Sequence, residues 1–340
     1  MRAAVLKAPG NLTVQEVEDA SCPEGGALVR VEACAICPSD IKMFRIGHRD
    51  LSYPRILGHE VVGRVVETDA PEVPTEGARV QVWPGLVCGT CRSCRSGNDN
   101  MCQQQGIFGF NRDGGFAQYM AIPPESALVG LNAVPAGVSA EAASLTEPLA
   151  CCVHAQDMCR VSEGETVLII GAGPMGMLHA MLALSYGARA IVVEPMEARR
   201  KLVERFGAEV LEPSEGLTDE VAGLTSGRGA DVAILATPAA YISDVMRAMA
   251  SRGRVCVFSG LPKGEACRTL DLNHLHYREI AMVGTYGCTS RSNRQALDLI
   301  SSGAVDVSKL ITMETCLDNL EEGFRHIERR EGLKCVIKEF

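Results

Sequence analysis

The sequence predicts an α/β protein in which a β-rich region precedes a doubly wound parallel sheet. From residue 161 onward the chain alternates apolar strands with helix-like segments, as in a parallel sheet covered by helices on both faces. Before that point, short β-type runs are broken by glycine and proline, which favours a barrel-like region whose loops carry function. A chain of 340 residues is also long enough for two domains of ordinary size.

The predicted elements follow from apolar runs between turn residues. The β-rich region contains runs at 27–33, 61–67 and 79–83. Six strands are expected in the parallel sheet, at 166–171, 190–194, 208–211, 231–236, 254–258 and 280–284. Helices are expected at 175–186 and through Arg200 to Phe206, and the tail after Ser290 carries two helix-like segments and a strand at 334–338. The expected division is 1–150, 151–288 and a tail, 289–340, that returns to the first domain.

Composition excludes several classes of function. The net charge of −9 repels phosphate backbones, which argues against nucleic-acid binding. No apolar stretch reaches the 18 residues of a membrane span, and the first residues lack a signal-peptide pattern. Fifteen cysteines without an export signal indicate a reducing cytoplasm, where thiols serve metal binding and packing rather than disulfides.

Four cysteines, Cys88, Cys91, Cys94 and Cys102, lie within one short polar segment. Their spacing allows four sulfurs to surround one tetrahedral ion, and zinc prefers such a shell. Free cysteines or a pair of disulfides are the alternative, but hydrophilic residues fill the gaps, as in a metal-binding lobe. The segment 88–102 therefore predicts a structural zinc, because four sulfurs leave no open position for a substrate.

A glycine motif predicts a dinucleotide site at the start of the parallel sheet. Gly171, Gly173 and Gly176, with Pro174 and Met175 between them, follow a buried strand and open a helix. That context suits a pyrophosphate, which binds at the helix N-terminus. Glu194 ends the second strand, 18 residues after Gly176, where a carboxylate accepts hydrogen bonds from the adenosine ribose hydroxyls.

Glu194 and its neighbours also influence whether the site prefers NAD or NADP. A 2′-phosphate would meet the like charge of Glu194, which favours NAD over NADP. Arg199 and Arg200 are the counter-argument, because arginines near this position hold a 2′-phosphate in some enzymes. Their alternative interpretation is ordinary solvated charge on a helix face. NAD is the expected cofactor, with Arg199 included among the cofactor-binding residues.

A second metal site is suggested by Cys37, His59, Glu60 and Glu147. A catalytic zinc takes fewer, mixed ligands and keeps one open position. Each residue also has an ordinary interpretation: Cys37 as a core residue, His59 as a loop histidine with satisfied hydrogen bonds, and Glu60 as a surface carboxylate. The residues considered singly leave these alternatives open.

Taken together, the motifs resemble those of the zinc-dependent medium-chain alcohol dehydrogenase superfamily over nearly the whole chain. The resemblance rests on Cys37-x-Ser39-Asp40, Gly58-His59-Glu60, the four lobe cysteines, Asp113-Gly-Gly-Phe-Ala-Gln-Tyr119, Glu147-Pro148 and the glycine motif. It implies a GroES-like β-rich catalytic domain and a Rossmann-type NAD-binding domain. It further implies two zinc ions per chain, one structural and one catalytic.

The resemblance also implies roles at the reactive zinc. Cys37 and His59 are expected to bind the ion, with Glu60 and Glu147 as alternating direct or water-mediated ligands. Ser39 is expected to take the proton of the substrate hydroxyl. This chain departs from the pattern at Pro38, where glycine is common, and at Lys42, where many relatives carry a relay histidine.

Because lysine is a poor proton acceptor near neutral pH, the relay is expected to end in water, or at His48 if that loop folds inward. An ordinary loop role is favoured for His48.

The Glu147-Pro-Leu segment resembles the sorbitol, galactitol-phosphate and threonine dehydrogenase branch. The expected activity is hydride transfer between NAD and a secondary alcohol of a polyol, cyclitol or similar sugar-derived molecule. An L-threonine 3-dehydrogenase-like activity and a non-catalytic ligand-binding or redox-sensing protein remain as alternatives. The expected partners are a small-molecule alcohol and further copies of the chain, in a homodimer or homotetramer, without nucleic acid or membrane.

Overall fold

The computed structural model describes residues 1–238, 242–261, 264–330 and 332–340. The chain forms two units, one made of Met1–Ala150 together with Cys288–Phe340 and the other of Cys151–Gly287. Among the described residues, no helix is both long and apolar enough to cross a membrane.

The strands fall into a β-rich set and a parallel set. In chain order they are β1 (Arg2–Ala8), β2 (Asn11–Glu16), β3 (Ala27–Ala35), β4 (Arg55–Ile56), β5 (Glu60–Thr68), β6 (Arg79–Val82), β7 (Gly85–Leu86), β8 (Gly106–Ile107), β9 (Tyr119–Ile122), β10 (Leu131–Ala133), β11 (Thr166–Ile170), β12 (Arg189–Val193), β13 (Glu209–Leu211), β14 (Ala230–Leu235), β15 (Met249–Val257), β16 (Ala281–Gly284), β17 (Ile311–Cys316) and β18 (Lys334–Glu339).

The α-helices connect and cover these strands. They are α1 (Pro38–Ile46), α2 (Arg92–Arg95), α3 (Pro124–Gly130), α4 (Ala140–Ser144), α5 (Thr146–Cys159), α6 (Pro174–Ser185), α7 (Glu197–Glu204), α8 (Leu217–Leu224), α9 (Ile242–Arg247), α10 (Leu272–Tyr277), α11 (Ser290–Ser301) and α12 (Leu320–Glu328). Short 3-10 turns lie at Asp99–Met101, Val307–Leu310 and Leu317–Asn319.

The β-rich unit is built on a sheet in the order β10-β6-β5-β3-β18-β17, with β9 also paired to β3. Ala35 at the end of β3 lies opposite Glu60 at the start of β5. The last strand, β18, runs antiparallel to β3, with Val336 opposite Ala35. Three distant parts of the chain therefore meet at one end of this sheet.

The second unit contains a six-stranded sheet in the order β13-β12-β11-β14-β15-β16, and all its strand pairs are parallel. Every residue of β11 is buried, as expected for a central parallel strand covered on both faces. This doubly wound sheet and the β-rich unit confirm the predicted fold class. β15 begins at Met249, five residues before the predicted start, because Met249 still pairs with Ala230 across an irregular stretch.

A buried histidine lies inside the second unit, on helix α6. Gln156 Nε2 lies 3.3 Å from Nδ1 of His179 and donates to its backbone oxygen at 2.8 Å. The ring meets Phe258 edge-on, with the centroids 4.5 Å apart. Burial lowers the pKa of His179 to about 3, so the imidazole is neutral in the folded chain.

This neutral imidazole makes stability depend on pH. In the unfolded chain His179 takes up a proton below about pH 6.5, whereas the folded chain does not. The contribution is therefore fully present above that pH and is lost as pH falls towards 3. We expect the free energy of unfolding of wild type to fall more between about pH 7 and pH 5 than that of His179→Gln, by up to about 1.4 kcal/mol per pH unit, and the Tm of wild type to fall more as a result. Scanning calorimetry of the two chains measures this difference.

His276→Gln, which changes an exposed histidine, is the matched control and should follow the wild-type pH profile. Parallel Tm profiles for wild type and His179→Gln would contradict a neutral His179 in the folded chain.

Candidate metal and nucleotide sites

The four lobe cysteines converge on one point. Their sulfurs all lie within 4.8 Å of one another, with separations of 3.5 Å for Cys91–Cys94, 3.6 Å for Cys88–Cys102 and 4.0 Å for Cys88–Cys94. Four bonds of about 2.3 Å to a tetrahedral zinc place sulfurs roughly 3.8 Å apart. The lobe therefore fits a closed four-sulfur metal site.

Backbone N–H groups favour thiolates in this lobe. The amide of Cys91 donates to Cys88 Sγ at 3.3 Å, and the amides of Cys88 and Gln104 donate to Cys102 Sγ, each at 3.4 Å. Hydrogen bonds from the backbone at Thr90 and Cys91 lower the pKa of Cys88 to about 6. Metal ligation requires the thiolate form, so the local backbone prepares the donor set.

A second donor cluster lies at the converging end of the β-rich sheet. One ligand atom from each of Cys37, His59 and Glu60 lies within 4.8 Å of the others. Cys37 precedes helix α1, whose N-terminal dipole favours a thiolate. A sulfur, an imidazole nitrogen and a carboxylate oxygen are a donor set that suits a catalytic zinc.

The buried carboxylate of Asp40 orients this cluster. Asp40 Oδ2 accepts from the amide of Cys37 at 2.9 Å, and Oδ1 accepts from the amide of Gly58 at 3.3 Å. Oδ1 also lies 3.3 Å from Nδ1 of His59. Nε2 of His59 is thereby left for a metal, which is the usual arrangement of a carboxylate behind a ligating histidine.

His59 is nearly buried and is surrounded by negative groups. Burial by itself lowers its pKa, but Asp40 and Cys37 more than offset this, so the pKa of His59 is raised well above the ordinary value. A bound cation would occupy the same electrostatic environment that favours a proton on this ring. The charges around His59 therefore favour a bound cation, as does the donor set of Cys37, His59 and Glu60.

Glycines allow the loop that contains Gly114 and Gly115 to pack closely against the segment that carries His59. A Cβ at Gly114 would lie 2.1 Å from the carbonyl oxygen of Gly58, closer than any real contact. The amides of Gly115 and Phe116 donate to the carbonyls of Gly58 and Leu57 at 2.8 and 3.0 Å. The Asp113–Tyr119 motif therefore packs directly on the strand connection that carries His59.

Glu60 is paired with a lysine that the sequence analysis did not select. Lys334 Nζ donates to Glu60 Oε1 at 2.7 Å, contacts Oε2 as well, and donates to the carbonyl of Ile36 at 3.0 Å. Both side chains are almost completely buried. The available signal was slight: Lys334 begins a strand in which the next three residues, 335–337, are apolar.

Glu147, at the start of helix α5, is not in the cluster of Cys37, His59 and Glu60. Its carboxylate lies within 4.8 Å of the Cys288 sulfur. Its charge nevertheless acts on Lys334, whose pKa it helps to raise. The structure thus places Glu147 within electrostatic range of the reactive cluster but outside the set of converging donors.

Several side chains surround the ring of His59. Ser39 Oγ lies 3.5 Å from Nε2 of His59. The ring of Phe110 lies 5.3 Å from that of His59 and 5.4 Å from that of His48. Lys42, one turn after Ser39 on α1, is exposed and has no hydrogen-bond or ion-pair partner among the described residues. Phe110, which the sequence analysis missed, connects the loop of His48 to the cluster.

The glycine motif forms a tight strand-to-helix turn in the second unit. The amide of Gly171 donates to Val193 at 2.8 Å, which joins the end of β11 to that of β12. A Cβ at Gly176 would lie 1.8 Å from the carbonyl oxygen of Gly171, so only glycine permits this approach. Pro174 and Met175 form the first turn of α6, whose N-terminus suits a phosphate.

Glu194 is held at the edge of this turn. Its carboxylate accepts from the amide of Ala172 at 2.7 Å and from that of Met196 at 3.0 Å. Nη1 of Arg200 donates to the carbonyls of Glu194 and Pro195, both at 2.8 Å, and Nη2 contacts Glu212. The guanidinium of Arg199 instead reaches the glycine turn, about 4.0 Å from the Cβ position of Gly173.

A cavity of about 220 Å³ opens beside the ends of β11 and β12. Its lining combines apolar and acidic side chains: Ile170, Val193, Pro213, Ser214, Glu215, Leu217 and Asp244. No arginine or lysine is among these lining residues. The cavity suits an uncharged adenosine moiety better than one bearing an additional phosphate.

Comparison with known proteins identifies the family of this chain. The alcohol dehydrogenase GroES-like domain matches residues 23–133, and the zinc-binding dehydrogenase domain matches residues 174–302. The L-galactonate-5-dehydrogenase of Escherichia coli K12 is 30% identical, covering 99% of this chain and 98% of its own. The L-threonine 3-dehydrogenase of Burkholderia vietnamiensis is 30% identical, with 98% of each chain covered.

The backbone of this chain is also similar to that of a solved structure. A protein assigned as a zinc-binding dehydrogenase from Sinorhizobium meliloti 1021, bound to NADP, superposes with a TM-score of 0.91 at 29% identity. The match covers 99% of this chain and 98% of that one. Both domain matches and the near-complete coverage of the relatives agree with the donor clusters and the glycine turn. The chain therefore belongs to the zinc-binding alcohol dehydrogenase family of oxidoreductases.

Proposed function

We propose that this chain is a zinc- and NAD-dependent dehydrogenase that oxidises a secondary alcohol of a polyol, cyclitol or sugar-derived acid. The observation that carries the proposal is the cluster of Cys37, His59 and Glu60 with Asp40 behind it. The relative named for L-galactonate, a sugar acid, supports this substrate class. A reducing cytoplasm suits its fifteen cysteines, and those of the structure are free thiols.

The residues at the cluster suit alcohol oxidation. Zinc held by Cys37 and His59 would lower the pKa of a bound hydroxyl and stabilise the alkoxide. Ser39 Oγ lies 3.5 Å from Nε2 of His59, and we expect this hydroxyl to accept the proton of the substrate while it passes its own proton on. Asp40 fixes the orientation of the His59 ring, so that the thiolate and the imidazole present their lone pairs to one point.

Assembly with further copies is part of this proposal. β16 is an edge strand of the parallel sheet, and Met282 on it is 36% exposed. Leu272 and Tyr277, on the preceding helix, are 69% and 78% exposed. An apolar edge of this kind favours pairing with another strand, and a second copy of this chain would supply one in a homodimer or homotetramer.

A second candidate function is oxidation of a hydroxy amino acid, as in the L-threonine 3-dehydrogenases. The Burkholderia vietnamiensis relative favours it to the same degree of identity as the sugar-acid relative. A non-catalytic ligand-binding role belongs to a different class, and the complete donor cluster weighs against it. A direct activity assay distinguishes these three candidate functions.

The assay uses sugar alcohols, aldonates, inositols, amino-deoxy cyclitols and L-threonine, followed by NADH absorbance. We expect turnover with a polyol, cyclitol or aldonate, and we expect Cys37→Ala to abolish it while NADH binding, measured by fluorescence, persists. Elemental analysis should give two zinc ions per wild-type chain and one for Cys37→Ala, since the lobe retains its ion.

Cys267→Ser, at an exposed thiol, is the control and should match wild type. Turnover of L-threonine alone would select the second candidate. Absence of turnover with two zincs bound would select the non-catalytic class.

The lobe zinc has a separate test. We expect Cys94→Ser to release one zinc and to lower the Tm by at least about 5 °C, which is roughly 2 kcal/mol for a domain of this size. The reason is that burial raises the pKa of Cys94 to about 12, so the thiolate there depends on the metal. Chain that remains folded should keep its selectivity among alcohols. A wild-type Tm after proven loss of the lobe zinc would contradict this role.

The cofactor preference can be measured directly. We expect kcat/KM to favour NAD over NADP by at least about tenfold, or about 1.4 kcal/mol, because Glu194 and the acidic cavity oppose a 2′-phosphate. Glu194→Gln keeps the shape but removes the charge and should narrow the preference. Glu197→Gln, on the exposed face of α7, should leave it unchanged. Equal use of NADP by wild type would show that Arg199 determines the selection.

A further inference from the structure

The loop between helix α1 and strand β4 places a second histidine near the reactive cluster. α1 ends at Ile46, and Gly47 follows with a φ of +75°, where a Cβ would lie 2.7 Å from the hydroxyl oxygen of Tyr53. The next residue is His48, whose carbonyl accepts from the amide of Leu51 at 3.1 Å. The backbone that carries His48 is therefore held in a defined turn.

The same turn fixes which nitrogen of His48 carries the proton. The amide of Asp50 donates to Nδ1 at 3.2 Å, so in the neutral ring Nδ1 is the acceptor and Nε2 holds the hydrogen. In the protonated ring Nδ1 faces the carboxylate of Asp50 at 3.5 Å, and Nε2 keeps its hydrogen. Nε2 is therefore a donor in both forms, and the described part of the chain supplies no hydrogen-bond acceptor for it.

The ring of Phe110 packs against both His48 and the reactive histidine. Its centroid is 5.4 Å from that of His48, with the ring planes at 85°, and 5.3 Å from that of His59, with the planes at 60°. The two imidazole centroids are therefore at most about 10.7 Å apart, which is the sum of these separations. Phe110 and His48 are both partly exposed, so the aromatic surface and the Nε2 donor are accessible to a small molecule.

These three rings suit a substrate that carries several oxygens. Pockets for small molecules combine aromatic or apolar walls with a few polar groups that fix the orientation of the ligand. A substrate whose reacting hydroxyl lies at the cluster, beside Nε2 of His59, would pack its carbon chain against Phe110 and bring a more distant oxygen to Nε2 of His48. A simple secondary alcohol has no second oxygen to accept from that donor.

We propose that His48 determines substrate specificity by donating a hydrogen bond from Nε2 to a substrate oxygen that lies several carbons from the oxidised carbon. The inference rests on the proposed function and narrows it, because the substrate chain must be long enough to pass Phe110. Extended sugar alcohols and sugar acids meet this requirement, whereas L-threonine and simple secondary alcohols do not. His48 takes no part in hydride transfer and selects which alcohol is held at the cluster.

The test compares substrates with and without distant oxygens, in the zinc-loaded full-length chain. His48→Asn keeps an acceptor for the amide of Asp50 but loses the donor at the Nε2 position. We expect this variant to lower kcat/KM for xylitol, sorbitol and galactonate at least tenfold, because the distant oxygen loses its partner. The kcat/KM for 2-butanol and the KM for NAD should stay within about twofold of wild type.

Three further variants separate specificity from a structural role of the loop. His48→Gln, which keeps a donor near the Nε2 position, should restore the wild-type kcat/KM for the three long substrates. His48→Phe, which keeps a ring against Phe110 but has no donor, should behave as His48→Asn. Arg49→Gln is the matched control in the same loop, since that side chain is 82% exposed and donates to Asp50, and it should match wild type.

The proposal is overturned if His48→Asn leaves kcat/KM for the long substrates unchanged, or lowers that for 2-butanol to the same extent. It is also overturned if His48→Gln fails to restore activity toward the long substrates, or if wild type neither binds nor oxidises any of the three. Where His48→Asn does not fold, the comparison of His48→Phe with His48→Gln gives the same decision.

A binding measurement keeps this inference separate from the proposed function. Calorimetric titration of the NADH-bound chain with xylitol, sorbitol and galactonate needs no turnover, and the Kd should be at least tenfold higher for His48→Asn than for wild type. That result without oxidation of any alcohol would reject the proposed function alone. Oxidation of the long substrates with equal kcat/KM and Kd values for the two chains would reject only this inference.

Discussion

The reactive cluster depends on one buried carboxylate. Asp40 binds the amides of Cys37 and Gly58 and faces Nδ1 of His59, so it fixes two candidate ligands that are 22 positions apart in the chain. A carboxylate with no exposed surface is stable only when hydrogen bonds and nearby positive charge replace its lost solvation. The backbone amides supply the hydrogen bonds, and a cation at the cluster would supply the positive charge.

The same reasoning explains why a lysine lies beside these acids. A thiolate and carboxylates that converge in a buried space repel one another unless positive charge is present. Lys334 provides one such charge from the last strand, and its position follows from the pairing of β18 with β3. The C-terminal strand thus contributes to the electrostatics of the site as well as to the sheet.

Local features of the site could be predicted from the sequence, whereas its long-range contacts could not. The lobe cysteines lie within fifteen residues, and the glycine motif joins a strand directly to a helix, so spacing alone predicts both arrangements. Lys334 and Glu60 are 274 positions apart, and nothing in either segment indicates the other. Phe110 likewise reads as one apolar loop residue, and its position between His48 and His59 emerges only when the loops pack.

The two candidate metal sites therefore differ in how their geometry is maintained. In the lobe, the backbone N–H groups that support the sulfurs come from Cys88, Cys91 and Gln104, so the site is organised within its own loop and its stability is linked to the ion. At the reactive cluster, the donors are held by Asp40 and by strands from both ends of the chain. A site supported in this way keeps its geometry when a ligand is exchanged, which is the property that a metal centre needs to bind and release a substrate.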